Sequence, residues 1–227
     1  MLYYYFTKIN GILYKIELVY VMSFSVRNDG FYYEEKKLLS DLPKGISIYE
    51  ERSNGKGCLL KLSKTSNFAT STWSTGKIEH LTEFLALYRK QSYWYGPSFG
   101  TKSGQIPLLT TILWVHRKDG MIIVLVPLIH KGYNCYINGA RDGIEILADN
   151  NCLTGNIHEL VGLYVGIGED FYTVSEQAAH AVRNFVDVGL LRKEKGLPKW
   201  VDTLGYCTWN TFYKYINQEN VYRMLHH

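Results

Sequence analysis

Residues 112–126 read ILWVHRKDGMIIVLV, two apolar runs joined by the polar connection 116–120. A five-residue connection that ends in Asp-Gly between two apolar runs indicates a β-hairpin. Short strands at near-regular spacing, without intervening helices, predict an antiparallel β-sandwich or barrel from about residue 23 to residue 168. The other short apolar or alternating runs, separated by turn residues, lie at 25–27, 31–33, 46–49, 58–62, 133–137, 143–147 and 160–165.

The pattern changes after Phe171 from strand periodicity to helix periodicity. Thr173 and Glu176 have the spacing of a capping box, and the apolar residues behind them fall on one helical face. We expect this helix to end near residues 189–191, before Pro198. The apolar positions are Val174, Ala178, Ala181, Val182, Phe185 and Val186.

Residues 199–209 then read as a buried strand, and Asn217 can cap a following helix. A lone apolar strand needs parallel neighbours on both sides, and the sequence reaches His227 without supplying them. We therefore expect the chain to stop inside a second domain. The predicted organisation is an extension at 1–21, a β domain at 22–170, and a linking helix with the start of the second domain at 171–227.

The first 21 residues are the one candidate for a targeting segment. They have no basic start, and charged residues interrupt every apolar run, which argues against a signal peptide and against a membrane span. The segment is either an extra strand or an upstream extension before a natural start at Met22.

The composition of the chain limits the kinds of partner that it is expected to bind. The formal net charge is +4, from 25 Lys and Arg against 21 Asp and Glu, and the basic residues are scattered, so no nucleic-acid partner is expected. The cysteines and the seven histidines show no metal-ligand spacing, so we expect no metal and no cofactor. The chain has no C-x-x-C pair and no N-x-S/T acceptor site, which favours a reducing compartment such as the cytoplasm. The four cysteines are Cys58, Cys135, Cys152 and Cys207.

A nonamer near the end of the chain carries a family resemblance. Residues 205–213 read GYCTWNTFY and resemble the G-W-C-T-W-D-A-F-Y signature of the raffinose synthase and seed-imbibition protein family. That family comprises alkaline α-galactosidases and galactosyltransferases related to glycoside hydrolase family 36. Blocks at 93–97, 105–111, 170–178 and 191–202 are similar to the same family in the same order.

The resemblance implies a fold and a sugar site. It implies an antiparallel β-sandwich, a linking helix and the first β/α unit of a truncated (β/α)₈ barrel, with the nonamer as the first barrel strand. Active sites of such barrels gather at the C-terminal ends of the strands. This places Trp209 and Asn210 at the rim of the sugar pocket, where an indole face covers galactose and an amide bonds to hydroxyls. Asn210 stands where the family has Asp, so the negative charge is missing.

The implied reaction is retaining cleavage of an α-galactoside or galactosyl transfer. It needs two carboxylates about 5 Å apart. In the family both lie on later barrel strands, so we expect no catalytic residue in this chain and no activity of the chain alone. We prefer hydrolysis to transfer, and the expected partner is a galactose-containing oligosaccharide.

Trp94 is a third candidate for substrate binding. The resemblance places it in the sandwich, from which it could reach over the mouth of the barrel. Packing in the core is the better interpretation of this residue.

Other functions remain open. The chain could be a non-catalytic carbohydrate-binding or interaction module that keeps the sandwich, or the product of a truncated gene with an exposed strand edge. A β-sandwich unrelated to sugars is a further possibility, against which the ordered blocks argue.

Overall fold

A computed structural model of the chain describes residues 2–9, 12–19, 23–151, 155–203, 205 and 207–226. Over these residues the strands are β1 Leu2–Ile9, β2 Ile12–Val19, β3 Phe24–Arg27, β4 Gly30–Tyr33, β5 Lys36–Ser40, β6 Ile46–Arg52, β7 Gly57–Phe68, β8 Thr70–Ser74, β9 Leu81–Gln91, β10 Trp94–Gly100, β11 Thr110–Arg117, β12 Ile122–Pro127, β13 Ile129–His130, β14 Tyr133–Ala140, β15 Gly143–Asp149 and β16 Ile157–Gly168. The helices are α1 Phe171–Val186, α2 Trp209–Phe212 and α3 Gln218–Leu225.

The hairpin predicted at residues 112–126 is present. β11 and β12 pair antiparallel, with Trp114 opposite Val124. Strands also cover the other predicted runs, so the prediction of mainly β structure in antiparallel sheets is confirmed. Several strands were not predicted from the sequence, among them β5, β8, β9 and β10. The apolar residues of β9 do not alternate cleanly, and Gly96 and Pro97 in β10 favour a turn.

Two sets of strands enclose the main core. Seven strands form one layer in the order β10-β9-β11-β12-β16-β7-β6, and each is antiparallel to its neighbour. β13, β14, β15 and β8 form the second layer, which the residue pair Thr110–Ile137 joins to β11. Buried side chains from both layers share one cluster, so the core lies between them. Its members include Leu60, Leu113, Val165, Trp73, Ile144 and Ile146.

The other face of the seven-stranded layer is partly covered by α1. Val174, Ala178 and Ala181 are buried there against the layer, as the helical periodicity predicts. The layer contributes Val124 and Tyr164, among others, to this second core. The face therefore carries apolar residues where the helix lies, and the antiparallel strands are buried on both sides at this point.

The ends of α1 differ from the prediction. The N-cap is Asp170, whose carboxylate accepts a hydrogen bond of 2.6 Å from the Thr173 amide. The capping box predicted at Thr173 is therefore wrong, because Asp is an equally good cap and comes earlier in the chain. Asp187 adopts the left-handed conformation and ends the helix at Val186, a few residues before the expected stop.

The chain divides into two compact units, residues 1–189 and 190–227. In the first unit, β1 and β2 pair antiparallel, with Leu2 opposite Val19. Residues 1–21 thus contain two strands, and their status as an extension before a start at Met22 stays a prediction. The first unit also contains α1, which packs on the strands. The predicted domain boundary near residue 170 stays a prediction.

A buried arginine fastens the three-stranded sheet β3-β4-β5 to the seven-stranded layer. Arg117, at the end of β11, is 1% exposed. Its Nη1 donates to the carbonyls of Lys37 on β5, at 3.0 Å, and of Glu79, at 2.7 Å. Its Nε and Nη2 donate to the two carboxylate oxygens of Asp119, at 3.1 and 3.2 Å. Hydrogen bonding to Arg117 lowers the pKa of Asp119 to about 2.

We expect Arg117→Met to lower the free energy of unfolding by about 3 kcal/mol. This is the lower end of the range for breaking a buried ion pair, since Asp119 is partly exposed. Arg27→Met is the matched control: the Arg27 guanidinium is 41% exposed and pairs with Glu35 at the surface, so little change is expected. Urea denaturation followed by circular dichroism measures both. Equal destabilisation by the two substitutions would show that the buried Arg117 guanidinium stabilises the fold no more than a surface arginine does.

His130, at the end of β13, is a half-buried histidine beneath α1. Its Nδ1 accepts a hydrogen bond of 2.9 Å from the Val161 amide, and its ring lies 5.2 Å from that of Phe185. Desolvation by burial, with a smaller effect of the Lys131 charge, lowers the pKa of His130. Protonation at Nδ1 removes the acceptor, so the fold favours the neutral ring.

The pKa of His130 is lower in the folded state than the unfolded value of about 6.5. Its contribution to stability is therefore complete above about pH 6.5 and is lost as the pH falls through the lowered pKa. His130→Asn, which keeps an acceptor that does not titrate, should flatten the fall in unfolding free energy between about pH 7 and pH 5. His158→Asn, at an exposed position on β16, should keep the wild-type slope. Identical slopes for all three proteins would contradict the assignment.

Candidate functional site

The nonamer at residues 205–213 does not form the expected strand. Its described residues before Trp209 have no regular structure, and Trp209–Phe212 is the short helix α2. The described residues of 199–209 thus form no strand in this structure, and the first barrel strand stays a prediction. The physical reason is that the described part of residues 190–226 contains no strand that could pair with residues 199–209. A strand formed there would leave its backbone groups unpaired.

The two barrel candidates lie side by side at the surface. Trp209 is 62% exposed, and its ring meets that of Tyr213 edge to face at 5.5 Å. Asn210 is exposed on the same turn of α2. The structure thus presents an indole and an amide together on one exposed turn. Their sugar-binding role stays a prediction.

The second unit as a whole leaves its apolar side chains uncovered. None of its described residues is buried, and Leu197 and Trp200 are 82% and 71% exposed. The helix predicted after Asn217 is present as α3, and Asn217 caps it by accepting from the Asn220 amide at 2.8 Å. Cys207, expected inside the buried strand, is exposed.

Trp94 belongs to the first unit and lies at the tip of the β9–β10 hairpin. It is 61% exposed, so the interpretation as a core residue is wrong. The reason is its position: it pairs with Gln91 at the end of the hairpin, and in the described sheet β10 has a neighbour, β9, on one side alone. Tyr93 and Tyr95 are also exposed, so three successive aromatic residues face solvent. Aromatic side chains at a loop tip are available to a ligand.

Two carboxylates beside a polar cavity have structural roles. The cavity has a volume of about 680 Å³ and is lined in part by Asp119 and Asp170. The pKa of Asp119 is lowered by Arg117, and that of Asp170 by its hydrogen bonds from Thr173 at the start of α1. A glycosidase acid needs a raised pKa so that it can donate a proton. These two carboxylates therefore do not form the acid pair that galactoside cleavage requires.

A second concavity lies on the outer face of the seven-stranded layer, beside the start of α1. This outer groove, about 620 Å³ in volume, has a largely apolar lining. Because its lining residues come from four strands and a helix, no local sequence pattern marks them. The large apolar residues are Phe84, Leu85, Phe99, Trp114, Ile122 and Phe171.

The described residues contain no group of three or more His, Cys, Asp or Glu side chains that could hold a metal ion. None of the helices in this part of the chain has the length and apolar content needed to span a bilayer.

The antiparallel β domain, α1 and the nonamer follow one another in the order that the resemblance implies. The family model for raffinose synthase or seed imbibition protein Sip1 matches residues 27–227. This chain therefore belongs to the raffinose synthase and seed imbibition protein family.

Relatives of known name are distant and much longer. A "probable galactinol–sucrose galactosyltransferase 1" from Arabidopsis thaliana is 23% identical over 199 residues, covering 82% of this chain and 26% of that protein. A "probable galactinol–sucrose galactosyltransferase 4" from the same plant is 26% identical over 195 residues, covering 84% and 22%. "Stachyose synthase" from Pisum sativum is 24% identical over 146 residues, covering 63% and 17%. The chain thus spans about a quarter of the length of the relatives it matches.

The exposure of the second unit predicts where a protease cuts first. Brief digestion with trypsin should cleave within residues 192–199, where Arg192, Lys193, Lys195 and Lys199 are all exposed. Cleavage after Lys61, which lies within β7, should be much slower because that strand is paired on both sides. Mass spectrometry of the early products measures both rates. Comparable rates at the two places would contradict the assignment of residues 190–226 as weakly protected.

Proposed function

We propose that this chain is the N-terminal part of an enzyme that transfers galactose among oligosaccharides of the raffinose type. In this proposal residues 22–170 are a β-sandwich, and residues 190–227 begin a catalytic (β/α)₈ barrel. The observation that carries the proposal is the family match over residues 27–227, which includes the nonamer at 205–213.

The exposed apolar side chains of residues 190–226 support the barrel assignment. Trp200, Trp209 and Leu225 are each more than half exposed, and α3 has an apolar face of the kind that packs on a sheet. We infer that residues 199–209 become a strand when parallel neighbours supply hydrogen bonds and cover. In this arrangement Trp209 and Asn210 lie at the sugar-facing end of that strand.

Transfer replaces hydrolysis as the preferred reaction. Hydrolysis, the reaction preferred from the family resemblance, shares its chemistry with transfer and differs from it in the acceptor. The names of the relatives, which are a galactinol–sucrose galactosyltransferase and a stachyose synthase, favour transfer. Asn210 in place of Asp would bind a hydroxyl without a negative charge, and Trp94 on its exposed hairpin is a further contact for the oligosaccharide.

We place the protein in the cytoplasm. The described cysteines, Cys58, Cys135 and Cys207, are free thiols. The chain has no N-x-S/T acceptor site. Both observations support a reducing compartment.

The chain alone should not release galactose from nitrophenyl α-galactoside above the blank. The reason is that two of the carboxylates beside its polar cavity, Asp119 and Asp170, have lowered pKa values and structural roles. A colorimetric assay of the purified chain measures this. Release that is abolished by substituting either aspartate would show that the acid pair lies in this chain after all.

Sequencing the transcript beyond the codon for His227 tests the enzyme itself. An open frame long enough to complete a barrel would supply the protein for a transfer assay with galactinol and sucrose. In that protein Trp209→Ala should lower kcat/KM about tenfold or more, and Tyr172→Ala, an exposed aromatic residue on α1, should not. An immediate stop codon, or full activity of the Trp209 variant, would refute the proposal.

A further inference from the structure

We propose that the outer groove on the β domain is a binding site for one galactosyl unit of an α-galactoside. The choice of sugar rests on the proposed function. The groove itself is defined by the register of β9, β10 and β11 and by the start of α1. Nothing in the nonamer or in the barrel assignment depends on it.

Strand register places the groove walls about one sugar ring apart. Phe99 on β10 lies opposite Leu85 on β9, and Leu85 lies opposite Trp114 on β11. Residues opposite each other share a face of the sheet, so Phe99 and Trp114 lie on either side of Leu85. They are two strand spacings, roughly 10 Å, from each other. A flat ring in contact with an aromatic face on each side needs a gap of about this width, since each non-bonded contact takes about 3.5–4 Å.

One wall is held in position before any ligand arrives. The Trp114 indole Nε1 donates a hydrogen bond of 2.9 Å to Ser175 Oγ, and Ser175 Oγ donates to the Phe171 carbonyl at 2.6 Å. The rings of Trp114 and Phe171 lie 5.2 Å apart. The opposite wall, Phe99, is 73% exposed although its strand is ordered by β9. A fixed aromatic wall lowers the entropy cost of binding.

Polar groups lie at one end of the apolar surface formed by Leu85, Phe99 and Trp114. Glu83 and His116 are opposite each other on β9 and β11, one row beyond Leu85 and Trp114. Their side chains are 69% and 48% exposed, and His116 Nδ1 is 3.4 Å from Glu83 Oε1. Nδ1 is also 3.3 Å from Thr82 Oγ1, which fixes the ring and leaves Nε2 for a ligand hydroxyl. Galactose has this combination, an apolar C–H face and a polar edge of hydroxyls.

The size of the groove favours a small ligand over a protein. Its volume of about 620 Å³ is within the range of about 300–1,000 Å³ that small-molecule sites occupy. A stable protein interface needs a flatter and larger surface, about 800 Å² on each partner. The polar pair Glu83–His116 at the rim would also lose water in a dry protein contact, whereas sugar hydroxyls replace that water.

Titration of the full chain with raffinose and with methyl α-galactoside, followed by calorimetry, tests the site. We expect saturable binding that Phe99→Ala weakens at least tenfold and Glu83→Gln weakens less. Phe99 is exposed, so its removal should not unfold the domain. Tyr49→Ala, on β6 at the other edge of the same layer, is the matched control and should bind like the wild type. Sucrose, which lacks galactose, should bind much more weakly.

Several results would overturn the proposal. If binding to the wild-type protein does not saturate, or if the Phe99 variant binds like the wild type, the groove is not a sugar site. Binding that is lost in Trp209→Ala and kept in Phe99→Ala refutes the groove and supports the barrel site. Sucrose binding as tight as raffinose binding refutes the galactosyl assignment. If the sugar does not bind and Phe99→Ala instead abolishes self-association in sedimentation, the groove is an interface between copies. The proposed function is judged separately, by the transfer assay on the longer product.

Discussion

Burial of the Arg117 guanidinium is the constraint on which the arrangement of the β domain depends. A guanidinium cannot lose its proton, so inside a protein it must find acceptors for its N–H groups. At the end of β11 the acceptors come from three separate stretches of chain: Asp119 in the hairpin turn, Lys37 on β5, and Glu79 before β9. The charge is therefore compensated when the three-stranded sheet and the seven-stranded layer are correctly docked. One side chain thus links hairpin geometry to the packing of two sheets.

The β11–β12 hairpin also forms part of the outer groove. Arg117 and Trp114 lie on the same strand, β11, and Trp114 lies opposite Leu85 on the outer face. The register against β9 shifts between His116 and Arg117, where Arg117 turns to the buried carbonyls. Asp170 caps α1 immediately after β16, so Phe171 arrives over the Trp114 ring. The groove is therefore a consequence of the way the helix starts on the sheet.

The local parts of this structure could be predicted from the sequence, and the non-local parts could not. The hairpin at 112–126 was predictable because its turn and its alternation are contained in fifteen neighbouring residues. The apolar face of α1 was predictable for the same reason, although its cap was not, since Asp170 and Thr173 offer equivalent oxygens. The prediction that Trp94 packs in the core was wrong because the local sequence does not distinguish the two cases. An aromatic residue before Gly96 and Pro97 can pack inward or lie at a hairpin tip. The outer groove has no sequence signal at all.

The nonamer at 205–213 shows why the distinction between local and non-local structure matters for function. An antiparallel hairpin supplies its own hydrogen-bonding partner, so β11 and β12 can form together. A parallel strand obtains both its hydrogen bonds and its cover from strands that are distant in sequence. Residues 199–209 carry the apolar content of such a strand, yet the described part of this unit holds no strand beside them, and Trp209 and Asn210 lie on an exposed helical turn. The family signature therefore identifies what this segment is related to, while its conformation depends on which strands are present to pair with it.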